Sequence, residues 1–146
     1  ADSTRIYLGC FPTLSTGAPI PLRMKRGRYL YNFSGSAAAD TLALNAGTAT
    51  VDTAVDLAAW VPLHSQVATI RAYLVSTTGA AANTAIIRTE GESGVDEIGM
   101  FVPAVVGASA TVITDIITDA DQDIAYAVTN FTSAPGLSIS VHGFYE

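Results

Sequence analysis

The feature that most constrains this chain is a period-two alternation of apolar residues, repeated in short runs that turn residues interrupt. The clearest case lies near the end. Ile124, Tyr126 and Val128 alternate with Ala125, Ala127 and Thr129. After Ser133-Ala134-Pro135-Gly136, Leu137, Ile139 and Val141 alternate with Ser138, Ser140 and His142. Successive strand side chains point to opposite sides of the pleat, so this pattern marks strands with one buried face. Residues 119–146 therefore read as one antiparallel strand pair. Phe144 and Tyr145 beside the last residue predict an end docked in a sheet.

Similar runs recur upstream. Residues 67–76 are apolar on both faces, which predicts a central strand. Residues 84–89 and 111–118 follow the same logic, and Pro103 within residues 98–106 argues for an edge or a bulge. Arg28-Tyr29-Leu30-Tyr31-Asn32-Phe33 is the first good strand, with Tyr29, Tyr31 and Phe33 on one face. Leu42-Ala43-Leu44 and residues 48–52 read as a hairpin turned by Asn45-Ala46-Gly47. Residues 55–61, halted by Pro62, fit one or two helical turns with Asp56 as N-cap. No window of twelve residues sustains a helical period. The expected fold is all-β: an antiparallel β-sandwich or jelly roll of about eight to ten short strands, with an extended N-terminal arm.

Charge divides the chain. Residues 1–35 hold Arg5, Arg23, Lys25, Arg26 and Arg28 against Asp2 alone, and the rest holds Arg71 and Arg88 against twelve carboxylates. Residues 1–35, which include Pro12, Pro19 and Pro21, read as a basic arm whose five cations are the candidate protein anchor. Residues 36–146 read as the sandwich domain. Charged residues make up only 14% of the sequence, against about 25% in an ordinary soluble domain. Such a surface is built of small uncharged residues or is covered by partner subunits. The acidic body argues against nucleic acid as a partner. No apolar run reaches the ~18 residues of a membrane span, and no basic-then-apolar leader is evident at the start. Cys10, the lone cysteine, reads as a small buried hydrophobe with no disulfide partner in the chain.

Few residues suggest chemistry. His64 and His142 have no cysteine at metal-ligand spacing, and no serine sits in Gly-x-Ser-x-Gly, so no enzyme and no cofactor are expected. Asp119, Asp121 and Asp123 carry the opening of a calcium loop, but Ile124 stands where glycine is needed and Asn130 where a bidentate glutamate is needed. A solvated acidic turn is the simpler reading; a loop-bound ion is the alternative. Glu90, Glu92, Asp96 and Glu97 form a second acidic loop. Gly91-Glu92-Ser93-Gly94 lacks the lysine of a phosphate loop. Trp60, Tyr73, Tyr126 and Tyr145 remain as candidates for a subunit interface or a sugar-stacking platform.

Four segments together resemble small β-sandwich domains of tailed-bacteriophage virion proteins. Val55-Asp56-Leu57-Ala58-Ala59-Trp60-Val61-Pro62 is similar to their "VDLSAYVP" opening, and an arginine-bearing strand such as Ile86-Ile87-Arg88 follows. Asp119-Ala120-Asp121-Gln122-Asp123-Ile124-Ala125-Tyr126-Ala127-Val128 resembles their closing "D-x-x-Q-x-I-x-Y-x-V" strand. Val141-His142-Gly143-Phe144-Tyr145-Glu146 resembles their terminal "V-x-G-Y/F-Y/W-E". The resemblance covers roughly residues 50–146 and leaves residues 1–35 outside it. It implies a non-enzymatic structural module of the virion surface, forming a homotrimer that decorates or stabilises a capsid or serves as a small fibre or adaptor. Other virion proteins, such as major capsid or tail proteins, would hold the arm, and assembly would occur in the host cytoplasm. The alternative it implies is a receptor-binding tip that docks on host surface glycans.

Overall fold

The structure, a computed structural model, describes residues 22–31, 41–92, 97–129 and 136–145. Among them are ten strands: β1 (Leu22–Lys25), β2 (Arg28–Tyr31), β3 (Leu42–Gly47), β4 (Thr53–Asp56), β5 (Val67–Val75), β6 (Asn83–Thr89), β7 (Ile98–Val102), β8 (Ser109–Ile117), β9 (Asp123–Thr129) and β10 (Leu137–Tyr145). They form two antiparallel sheets. One runs β1-β2-β10-β5-β8, with β3 also bonded to β10; the other runs β4-β9-β6-β7.

The pairing is nested. β6 pairs with β7, β5 with β8, β4 with β9 and β3 with β10. A long hairpin wrapped around itself gives this order, and the eight strands from β3 to β10 are a jelly roll. The hairpin of β1 and β2 extends the larger sheet by pairing with the last residues of β10.

The nesting corrects the strand pair expected over residues 119–146. β9 and β10 lie in opposite sheets, and each pairs with strands far back in the chain. Alternation fixes which face of a strand is buried, not which neighbour it bonds. The inward residues were as expected: Ile124 and Val128, like Leu137, Ile139 and Val141, are inaccessible to solvent and share one core cluster.

Asn45-Ala46-Gly47 is likewise not a hairpin turn. Leu137 pairs with Gly47 while Ile139 pairs with Leu44, so β3 carries an extra residue opposite β10. Ala46, at φ 52°, sits in the left-handed region at this bulge. The turn-like composition reported a true positive φ and a different use for it. Residues 55–61 combine two elements. Val55 and Asp56 finish β4, and a single helical turn follows. The Ala58 amide donates to the Asp56 carboxylate at 2.7 Å, and the Trp60 and Val61 amides donate to the Leu57 carbonyl at 2.8 and 2.9 Å. Asp56 caps that turn as expected.

β5 is central, between β10 and β8, and β7 is an edge strand that stops at Val102, just before Pro103. The core is filled from β5 by Ala68, Ile70, Ala72 and Leu74, and from β10 by the inward residues named above and Phe144. The Phe144 ring stacks on Tyr29 of β2, with centroids 5.2 Å apart and planes 12° from parallel. Each such buried side chain contributes roughly 1.5–3 kcal/mol relative to exposure.

Gly143 has no room for a side chain. A β-carbon there would strike the Tyr29 carbonyl oxygen, at the point where β2 joins β10. Gly143→Ala is therefore expected to destabilise by about 1–3 kcal/mol, seen as a lower urea midpoint with an unchanged m-value. An unchanged midpoint would contradict the close β2–β10 approach.

Candidate functional site

The side chains with chemical potential gather on the outer face of the six-stranded sheet. Four strands meet at Asp115 of β8. Its Oδ1 accepts from Thr69 Oγ1 of β5 at 2.6 Å and from the Arg28 guanidinium of β2 at 3.1 Å, and its Oδ2 accepts from the Tyr145 hydroxyl of β10 at 2.8 Å. Arg28 Nε also donates to Thr69 Oγ1 at 3.1 Å, and the guanidinium carbon lies 5.5 Å from the centre of the Tyr145 ring. Register explains the convergence: Tyr145 lies opposite Arg28, and Thr69 lies opposite Asp115. Both ends of the ion pair remain partly in water, so the pair alone contributes about 0.2–1 kcal/mol. Its larger consequence is geometric, because one carboxylate ties β2, β5, β8 and β10 together.

Beside this clasp lies a shallow groove of about 220 Å³, lined by Leu42, Arg71, Tyr73, Ser138 and Ser140. Ser138 lies opposite Tyr73, and Ser140 lies opposite both Arg71 and Leu42. His142 flanks it at a second bulge: Val141 pairs with Ile70 and Gly143 with Thr69, which makes His142 the extra residue. Burial, and secondarily the charge of Arg71, hold the His142 imidazole below its ordinary pKa. An imidazole so placed is neutral at physiological pH.

Several sequence candidates do not join this face. Tyr126 turns inward with Ile124 and Val128 and is 5% exposed, which removes it from any surface platform. Trp60 is half-buried at the turn after β4 and packs against the core. Tyr73 lines the groove and Tyr145 belongs to the clasp, so the four aromatics are not one surface. Arg5 lies outside the described residues. Residues 22–31, expected within the basic arm, form a hairpin in the sheet, with Arg23 and Lys25 in β1 and Arg26 in its turn. Arg26 and Gly27 both have positive φ, 55° and 77°, the signature of a two-residue type I′ turn. The Arg26-Gly27 pair was the available signal for this hairpin. Arg28 is engaged by Thr69 and Asp115 on the outer face of its own sheet.

The acidic turn before β9 is a structural device. Asp119 Oδ1 accepts the amides of Asp121 and Asp123 at 3.0 and 2.7 Å, and Gln122 takes φ 67° within it. Burial, then the charges of Asp119, Asp56, Asp121 and Glu90, push the Asp123 carboxyl above its ordinary pKa. Among the described residues, no group of three His, Cys, Asp or Glu is arranged to hold a metal ion. On the smaller sheet, Arg88 pairs with Asp52 and, at 2.7 Å, with Glu97. The outer face of the larger sheet brings together a cation, an aromatic ring and two hydroxyls at Arg71, Tyr73, Ser138 and Ser140. No protein-family model matches this sequence, and no curated protein matches it.

The clasp has a spectroscopic consequence. The Asp115 hydrogen bond, then burial and the Asp115 charge, raise the Tyr145 hydroxyl above the ordinary phenol pKa, with Arg28 pulling the other way. Above the ordinary phenol pKa the unfolded chain ionises first, so this contribution is present at neutral pH and lost as pH climbs toward the raised value. In an alkaline ultraviolet titration, Asp115→Asn should return one tyrosine toward the ordinary range. Superimposable curves for the two proteins would contradict the clasp.

Proposed function

We propose that this chain is a non-enzymatic structural module of a tailed-phage virion surface, acting as a homotrimer that decorates or stabilises the capsid or serves as a small fibre or adaptor. The observation that carries this reading is the outer face of the four-stranded sheet. Phe101 of β7 and Ile86 of β6 are exposed there, at 62% and 36%, beside Gly99 and Ala127. Val105 and Val106 continue the exposed apolar run along the chain after β7. The charges Arg88, Asp52 and Glu97 on this sheet are paired with one another. A flat face of small and apolar residues on a sandwich is a surface that association covers.

Two further points support the reading. The segments that resemble phage virion domains fall on the close of β4 and its turn, the acidic turn with β9, and the end of β10. Jelly rolls also carry viral capsid and lectin domains, an analogy of fold alone. In this reading the residues before β1, with the basic β1–β2 hairpin, attach the module to major capsid or tail proteins. Arg28 is engaged in its own sheet and contributes stability instead.

Light scattering on the purified chain should give a mass near three times 15.1 kDa. Phe101→Asp should reduce it to the single-chain mass while leaving the circular dichroism spectrum intact, because the side chain is outside the core. A monomeric wild type at high concentration would overturn the assembly claim. A trimeric Phe101→Asp variant would move the interface off this sheet.

A further inference from the structure

Arg71 stands near the middle of the larger sheet's outer face and is exposed. Its strand neighbours are Ser140 on β10 and Ile113 on β8, neither of which carries charge. Asp115, the carboxylate of that face among the described residues, is already held by Arg28, Thr69 and Tyr145. A chain with a formal net charge of −6 thus presents a cation in a groove that no acid lines among the described residues. Around it stand one phenol ring, two hydroxyls and one apolar wall: Tyr73, Ser138, Ser140 and Leu42. Ser138 Oγ accepts the Ala46 amide at 3.4 Å, which orients the hydroxyl and leaves its proton for a ligand.

We infer that this groove binds the carboxylate-bearing ring of an acidic saccharide. The guanidinium of Arg71 takes the carboxylate through its two-pronged donor geometry. Ser138 and Ser140 bond ring hydroxyls, and Tyr73 and Leu42 cover the apolar face of the ring. A volume of about 220 Å³ falls below the ~300–1,000 Å³ of pockets that enclose drug-sized molecules. The site therefore accepts about one ring and binds weakly per copy. Clustering of copies in an assembly would multiply that affinity. The groove lies on the larger sheet, away from the face assigned to assembly, so both surfaces serve together.

Amide chemical-shift titrations of the full chain test this with four probes: glucuronic acid, glucose, inorganic phosphate and an N-acetylated peptide with a free C-terminal carboxylate. Glucuronic acid should shift Arg71, Tyr73, Ser138 and Ser140 in the millimolar range. Glucose and phosphate should bind at least about tenfold more weakly, the scale of one lost charge-assisted hydrogen bond. Arg71→Ala should weaken glucuronic acid by about tenfold or more without changing the solution mass, since the side chain lies outside the core and the assembly face. Equal binding of glucose, unaltered binding by Arg71→Ala, or shifts elsewhere would overturn the site. A peptide binding as tightly as glucuronic acid would overturn its assignment to saccharides.

Discussion

The pairing of the final strand with three earlier ones is the constraint on which the rest of this structure depends. β10 bonds to β5 along one edge, and to β3 and β2 in succession along the other. Its inward residues are almost wholly buried, so displacing it would open the core as well as both edges. Ser65 of the turn before β5 adds a hydrogen bond of 2.5 Å to the Tyr145 carbonyl, which fastens the strand's far end. Two glycines permit these approaches: Gly143 beneath Tyr29, and Gly136 against the Gly47 carbonyl. A nested topology closes only when its outermost strands meet, and β10 is where the described chain makes that closure.

The two outer faces that this closure produces differ in kind. The larger sheet presents a clasp of opposite charges, with one residue from each of four strands, and a groove around Arg71 built from residues two apart on β5 and β10. The smaller sheet presents Ile86, Gly99, Ala127 and Phe101, with Arg88 paired to Asp52 and Glu97. A sequence this poor in charge spends few ionic groups on solvation. Arg28, Arg88, Asp52, Glu97 and Asp115 are held in side-chain networks. Recognition on one sheet and association on the other are the roles we propose for these two faces.

The burial pattern was legible in the sequence because alternation is a local property of the pleat. The inward faces of β5, β9 and β10, the edge position of β7 at Pro103 and the Asp56 cap could all be read from neighbouring residues. Partner choice was not legible, because it is settled between strands as distant in the chain as β2 and β10, by loop geometry that composition reports only indirectly. Asn45-Ala46-Gly47 declared a positive φ without saying that it would serve a bulge. Tyr126 declared an inward face through Ile124 and Val128, which outweighed its aromatic character as a surface candidate. Arg28 looked like part of a basic run. Its actual role needed Asp115 and Thr69, and nothing in the linear sequence brings those three together.

Native-state hydrogen exchange, resolved by residue, tests most directly the claim that β10 anchors the closure. Amides of β10 and β5 should exchange slowest, together, and only through global unfolding, while the edge strands β4 and β7 exchange through smaller openings. Protection of β10 that is lost ahead of β4 and β7 would contradict the account, because the final strand would then be an appendage to the sandwich rather than its closure.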